Sequence, residues 1–375
     1  MLDHRDALGL PGLGAPAVEA DHRQLRGGNG HDRRQGGAAI HACGTVRTMK
    51  AAVRYRYGTP DVVRVEELPK PAPAEGEVLV RTRAASVNRA DLDGIQPRPQ
   101  FVRLFMGLRA PRQPQIGVDV AGVVEAVGAG VTRFRPGDEV FGDLFAAGHV
   151  GAFAEYVSAP EKAFQPMPAG MSFTDAATLP HSAILALQGL RTRKGREVQP
   201  GEKVLVVGAS GNVGPFAVQI AKALGAEVTG VCSSAKVDFV RSLGADEVLS
   251  YTDVNFTRLG RQWDWILDTD SHYSIFAVRR ALRPNGVYVT LGGEAWPLVG
   301  ALLGGPLIGR FSDKHMGLMI WWKPFNEPDV DRLKELIAAG KVRPVIDRRY
   351  PLSEIVDALK HVNDGHARGK VVITF

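Results

Sequence analysis

Cysteine is nearly absent from this chain: its 375 residues include two, Cys43 and Cys232. Two cysteines so far apart form neither a four-cysteine zinc site nor the close pair of a redox motif, and they exclude a disulfide-built scaffold. That usage predicts a reducing, cytoplasmic setting. Long runs of one charge are missing as well. The net charge is +6, from 46 Lys and Arg against 40 Asp and Glu. The basic residues are interspersed with acidic ones, so nucleic acid is not expected as a partner. A membrane-spanning run is missing too. The late apolar stretch 295–309 (AWPLVGALLGGPLIG) is interrupted by Pro and Gly, and a spanning helix needs about 20 apolar residues. With Met316–Trp322 (MGLMIWW) it reads as core, subunit interface or the wall of a lipophilic pocket, and membrane contact is not expected.

Residues 1–48 lack the periodicity of the rest of the chain. They contain His4, His22, His31 and His41 among Gly, Arg and Asp, with no continuous apolar segment. Such a segment buries too little apolar surface to offset its ordering entropy, and its acidic residues argue against a transit peptide. It reads either as a non-native leader, Met49 then being the natural start, or as a tail that is simply disordered.

From Met49 to about Phe164 the chain shows short β-like runs, Val62–Val65, Glu77–Arg83, Val120–Val127 and Phe153–Val157, separated by turn signals such as Gly58-Thr59-Pro60 and Arg135-Pro136-Gly137-Asp138. This is the pattern of a compact, mostly β domain. Beyond about Met171, strands and helices alternate. The strand Glu202–Val207 is followed by a helix with Val213, Phe216, Ala217, Ile220, Ala221 and Leu224 on one face, then by a strand Glu227–Cys232. A helix Val237–Leu243, strands near Glu247–Ser250 and Trp265–Leu267, a helix Ile275–Leu282, the turn Pro284-Asn285-Gly286 and a strand Val287–Leu291 complete the run. Such alternation predicts an α/β fold with a doubly wound parallel sheet.

Between the first of these strands and its helix lies Gly208-Ala209-Ser210-Gly211-Asn212-Val213-Gly214. In the G-x-G-x-x-G register Ala209 replaces the first glycine, while Gly211 and Gly214 keep the other two. Gly211 permits close approach of a pyrophosphate to the helix N-terminus, and Gly214 permits close helix–sheet packing. Placed between a strand and an amphipathic helix, the loop predicts a dinucleotide cofactor. NAD sites carry Asp or Glu at the end of the second strand. Here that place reads Cys232-Ser233-Ser234-Ala235-Lys236. Hydroxyls and a lysine attract a 2′-phosphate that a carboxylate would repel, so NADP(H) is expected over NAD(H). The same residues also suit a helix cap at Ser234 and a solvated Lys236.

With these motifs in view, the chain resembles the medium-chain dehydrogenase/reductase superfamily, and within it the zinc-independent quinone oxidoreductase-like branch. The resemblance runs from about Met49 to Phe375 and rests on Ala85-Ser86-Val87-Asn88-Arg89-Ala90-Asp91, Gly117–Val124, Phe134–Val140, Gly151–Tyr156, the cofactor helix and Gly369-Lys370-Val371-Val372. It implies a GroES-like, mostly β catalytic domain over 49–175 and 326–375, with a Rossmann NADP-binding domain inserted over 176–325. It implies that Ser210, Gly211, Asn212, Val213 and Gly214 hold the pyrophosphate, that Ser233, Lys236 and Tyr251 meet the adenosine phosphate, and that Gly292 and Gly293 lie toward the nicotinamide. Tyr251 suits a half-buried strand-end aromatic equally well.

Zinc alcohol dehydrogenases of that superfamily have Gly-His-Glu where this chain has Gly117-Val118-Asp119, and a Cys ligand near Asn88–Asp91. Val118 has no lone pair to offer, so no zinc is expected. Without a Lewis acid, a conjugated acceptor is the easier hydride target, because it delocalises the incoming charge. The expected reaction is NADPH-dependent hydride transfer to a lipophilic quinone or enone, by a homodimer. Asn88, orienting substrate, and Asp91, its neighbour or a member of a proton relay, are the catalytic candidates; both residue types also serve local capping. Asp93, Leu185 and Asp270-Ser271-His272 depart from the family pattern. Two other readings stand beside this one: a zinc-free NAD(P)-dependent alcohol dehydrogenase or carbonyl reductase, and a non-catalytic NADPH-binding, redox-responsive protein.

Overall fold

The computed structural model describes residues 47–97 and 103–375, so the expected leader lies almost wholly outside the described residues. The chain enters with β1 (Thr48–Val53), which pairs antiparallel with β2 (Arg64–Pro69). Where the sequence suggested a strand from Val62, Pro60 instead opens a short 3-10 turn over Pro60–Val62, and the strand starts at Arg64. Proline suits the first position of a helical turn, where its missing N–H costs nothing.

A larger sheet is built from β3 (Glu77–Val87), β4 (Asp119–Val127), β5 (Glu139–Asp143), β6 (Tyr156–Pro160) and β7 (Phe164–Pro166). The expected strand Phe153–Val157 begins later, at Tyr156. Phe153 and Ala154 are drawn off to β1: the Phe153 carbonyl accepts from Ala52 N–H, and Ala154 bridges Ala51.

The chain then builds six parallel strands: β8 (Lys203–Val207), β9 (Glu227–Cys232), β10 (Glu247–Ser250), β11 (Trp263–Asp268), β12 (Leu282–Thr290) and β13 (His315–Leu318). Their order is β10-β9-β8-β11-β12-β13, every pairing parallel. That is the doubly wound arrangement, whose order reverses between β8 and β11; ligands bind at the carboxyl ends of the strands there. The expected turn at Pro284-Asn285-Gly286 is absorbed as an irregularity into β12, with Asn285 in the left-handed region at φ 59°.

Two last strands, β14 (Ile346–Pro351) and β15 (Lys370–Thr374), return to the first large sheet, whose order is β14-β15-β3-β4-β5-β7 with β6 also on β3. Segments from early and late in the described chain thus share one sheet. One apolar core fills it, with Val80, Val120, Phe153, Phe164 and Ile373 fully buried. A second core, including Val206, Phe216, Trp265 and Leu267, lies against the parallel strands. No helix among the described residues is long and apolar enough to cross a membrane.

Candidate functional site

The loop after β8 has the geometry its glycines require. Gly208 adopts φ +76°, and a Cβ there would fall 2.3 Å from Thr269 Oγ1. A Cβ on Gly214 would meet the Gly208 carbonyl oxygen at 2.2 Å and the backbone of Ala209, so only glycine lets the helix after it sit this close. Gly211 differs: the sole neighbour within 4 Å of an added Cβ is the Gly208 oxygen, at 3.5 Å. The space above it is open. Three helices bear on the site: α1 (Arg89–Ile95), directly after β3, α2 (Ser182–Gly189) and α3 (Gly214–Ala223). α3 starts without a side-chain cap at Val213, which leaves the N–H groups of Gly214 and Phe216, on either side of Pro215, for an anion. The residues present therefore fit a dinucleotide pyrophosphate.

The loop is tied to the other sheet at two points. Asn212 Nδ2 donates to the carbonyl of Val87 at 2.7 Å, and the N–H of Gly369 donates to the carbonyl of Ser210 at 3.1 Å. Val87 and Gly369 immediately precede Asn88 and Lys370. The cofactor loop thus borders the residues that the motifs single out for chemistry.

At the end of β9, Ser233 precedes a 3-10 turn over Ser234–Lys236 and makes no side-chain cap bond. Lys236 Nζ donates to the carbonyls of Gly365 and Ala367, each at 2.7 Å. Tyr251 is exposed, and its N–H donates to the Cys232 carbonyl. Arg368, which sequence reasoning missed, reaches the Ala235 carbonyl at 3.5 Å. Burial lowers the Lys236 pKa, and the Arg368 charge lowers it further. At the far side of the loop, Ser271 bridges Gly293, which holds φ +135°; the Gly292 carbonyl accepts from Ser271 N–H at 2.9 Å. His272 sits between Asp270 and Glu294, at 3.2 and 3.1 Å.

The structure joins Asn88 to a buried polar network. Asn88 is 1% exposed. Its Nδ2 donates to Asp119 Oδ2 at 2.8 Å, while its Oδ1 accepts from Lys370 Nζ at 2.6 Å and from Ser182 Oγ at 3.0 Å. Lys370, also 1% exposed, donates to Ser182 Oγ at 3.0 Å and lies 3.5 Å from Asp119 Oδ2. Ser86 Oγ and the His181 N–H complete Asp119, and His181 Nδ1 meets Asp143 at 3.0 Å. Asp91 does capping work: its Oδ2 accepts from the Asn88 N–H at 2.7 Å, while its Oδ1 is buried without a partner among the described residues.

Burial drives the titration of these groups. It pushes Asp91 up to about 7. It raises Asp119 against the pull of the Lys370 ammonium, and it lowers Lys370 against the pull of Asp119. Burial alone would lower His181, but the Asp143 carboxylate beside it wins and holds its pKa above the usual value. Asp119, His181, Ser182 and Lys370 were not singled out as site residues from the sequence. The signal was there: Lys370 is a lone charge heading an apolar strand, and Asp119 opens another.

A zinc ion does not suit this donor set. Val118 is buried hydrocarbon, both oxygens of Asp119 are already bonded, and an ammonium occupies the middle of the network. Among the described residues no group of three His, Cys, Asp or Glu side chains is placed to hold a metal.

Comparison with known proteins agrees with this architecture. The alcohol dehydrogenase GroES-like domain family matches residues 74–169, and the zinc-binding dehydrogenase family matches residues 243–373. The chain is 34% identical over 356 residues to the mitochondrial NAD(P)H oxidoreductase RTN4IP1 of Mus musculus, covering 87% of this chain and 89% of that protein. It is 33% identical over 318 residues to a chloroplast envelope quinone oxidoreductase homolog of Arabidopsis thaliana, covering 82% and 92%. The solved quinone oxidoreductase from Coxiella burnetii superposes with a TM-score of 0.76 at 28% identity, covering 88% of this chain and 100% of that one. The chain belongs to the medium-chain dehydrogenase/reductase superfamily, in its quinone-reductase-like branch, and is a nicotinamide-dependent oxidoreductase.

Proposed function

We propose that the protein is an NADPH-dependent reductase of quinones or conjugated enones that works without zinc. The observation that carries this is the coupling of the pyrophosphate loop, through Asn212 and Ser210, to Val87 and Gly369, the residues that immediately precede Asn88 and Lys370. The relatives point the same way: one is named as a 2-methylene-furan-3-one reductase of Solanum lycopersicum and another as an NADPH-dependent alkenal/one oxidoreductase of Arabidopsis thaliana, each 32% identical over 87% of this chain.

Ser210, Gly211, Asn212, Val213 and Gly214 hold the pyrophosphate, and Gly292 and Gly293 border the nicotinamide. Ser233, Lys236, Tyr251 and Arg368 receive the adenosine phosphate. Two neighbouring cations with no carboxylate at the end of β9 favour a 2′-phosphate, hence NADPH over NADH. When bound, the reduced nicotinamide supplies a hydride. Asn88 acts by positioning: its amide oxygen accepts from both the Lys370 ammonium and the Ser182 hydroxyl and fixes where their protons point. Lys370 and His181, each paired with a carboxylate, Asp119 and Asp143, hold the polar groups around Asn88 in fixed positions. Asp91 holds a proton within the same buried region. The domains are divided as 49–175 with 326–375 for catalysis and 176–325 for the nucleotide.

We assign the protein to a reducing compartment, the cytoplasm, on the scarcity of cysteine in the chain; burial pushes the thiol of Cys232 up to about 11, which makes it unreactive. A homodimer forms through β13, the edge strand of the parallel sheet, and the apolar side chains beside it, Trp296 (83% exposed) and Phe311 (82% exposed).

The test follows oxidation of NADPH and NADH against a naphthoquinone, an enone and an aldehyde, with and without a chelator, beside a direct NADPH titration. NADPH oxidation by the quinone or enone, unchanged by chelation, is expected. Preference for the aldehyde would favour a carbonyl reductase, and tight NADPH binding without any oxidation would overturn the enzymatic reading.

A further inference from the structure

Next to the polar network stands an aromatic assembly of Trp322, the end of the apolar run 316–322, and Phe145, which no motif marks. Phe145 follows Asp143, whose carboxylate holds His181, and His181 precedes the Ser182 that bonds Asn88. The Phe145 ring stacks on Trp322 with centroids 5.6 Å apart and planes 21° from parallel. His181 meets both rings edge-on, at 5.0 Å from Trp322 and 6.3 Å from Phe145. Phe145 nevertheless remains 50% exposed. One face of a large apolar ring is covered by Trp322, and the rest is offered to solvent beside the buried network.

The support beneath is stiff. Lys323, the residue after Trp322, is bonded through both its N–H and its carbonyl to the Gln188 side chain on α2. Gln188 also donates to Asp329, which takes two bonds from Arg191. Phe145 is held from its own side, because its N–H donates to Asp143 Oδ1 at 2.9 Å. The Trp322 indole N–H is closed off from solvent and has no acceptor among the described residues.

We propose that Phe145 and Trp322 form a stacking plate that selects planar ring acceptors, with a quinone ring lying on the open face of Phe145. This rests on the reductase reading above. Offset stacking rewards a flat conjugated ring and gives little to a narrow open-chain enal. The plate thus sets specificity within the acceptor class, while the polar network beside it is indifferent to ring size.

The test uses the full chain with saturating NADP+ or NADPH. Binding of 1,4-naphthoquinone is read by tryptophan quenching with NADP+ bound, and steady-state kinetics with NADPH compare that quinone with trans-2-hexenal. Phe145→Leu should raise the quinone Kd and KM by about fivefold to tenfold, leave kcat and the hexenal KM within about twofold, and leave NADP+ affinity unchanged. Phe145→Tyr should restore quinone binding, and Trp322→Phe should remove most of the quenching. Equal effects of Phe145→Leu on both acceptors, or none on the quinone, would overturn the plate. Quinone binding that depends on Phe145 without any turnover would uphold the plate and overturn the reductase reading.

Discussion

Lys370 shows how a single residue can make a site unreadable from its neighbourhood. In sequence it is a lysine beside glycine at the start of an apolar strand. In the fold its ammonium is buried among Asn88, Ser182 and Asp119, where removing Asp119 would strand its charge in low dielectric. Asp91 carries a testable consequence of the same burial. Its folded pKa of about 7 lies above the ordinary carboxylate range, so the folded chain keeps a proton that the unfolded chain loses. That contribution to stability is complete below about pH 4 and is lost as pH rises through about 7. Between about pH 5.5 and 8, the wild type should lose roughly 2 kcal/mol more stability than Asp91→Asn. Urea melts of both proteins at the two pH values check this, and parallel pH profiles would refute it. Asn88 and Asp91 were legible as a pair because they stand three positions apart. Lys370 was not legible as their partner, since 282 positions separate it from Asn88.

At the scale of elements, the strand–loop–helix unit β8–α3 was the most readable part of the chain. Its apolar period, its glycines and the strand after it all come from local sequence, and the structure keeps each of them. The β-rich half was less readable. There Phe153 and Ala154 are claimed by β1, far away in sequence, and a period-two run cannot show which neighbour will claim it. The two glycines of the loop make a sharper prediction than either alone. Gly214→Ala places a Cβ 2.2 Å from the Gly208 oxygen and should destabilise the protein by about 1–3 kcal/mol as well as weaken nucleotide binding. Gly211→Ala meets nothing closer than 3.5 Å, so its melting temperature should stay close to that of the wild type. It should still raise the NADPH Kd by about tenfold, because the methyl stands in the path of the pyrophosphate. Thermal melts beside NADPH titrations separate the two, and a matched loss of stability in both variants would show that Gly211 serves only the turn.

At the scale of the molecule, the six-stranded sheet ends on β13 with no further strand among the described residues, and Trp296, Leu303, Leu307 and Phe311 stand exposed in the helical segments over 295–311 that precede it. The sequence offered core, interface or pocket for that apolar stretch. The exposed side chains argue for interface, since apolar patches of this kind rarely stay bare. Phe311→Glu combined with Leu303→Glu should convert a dimer to a monomer, read by light scattering behind a sizing column. A wild type that is monomeric at all concentrations would remove the proposal. The closing of the first large sheet by β15 also bears on how the chain is made. Asp119 leaves the ribosome long before Lys370, the ammonium that faces it. Until Lys370 emerges, the first large sheet lacks both β15 and the ammonium that faces Asp119, whereas every strand of the parallel sheet has already been made, its widest pairing, β8 with β11, spanning about 60 residues. A nascent chain halted before residue 370 should therefore hold a folded nucleotide-binding sheet beside an unfinished partner, so the order of translation sets the order of assembly.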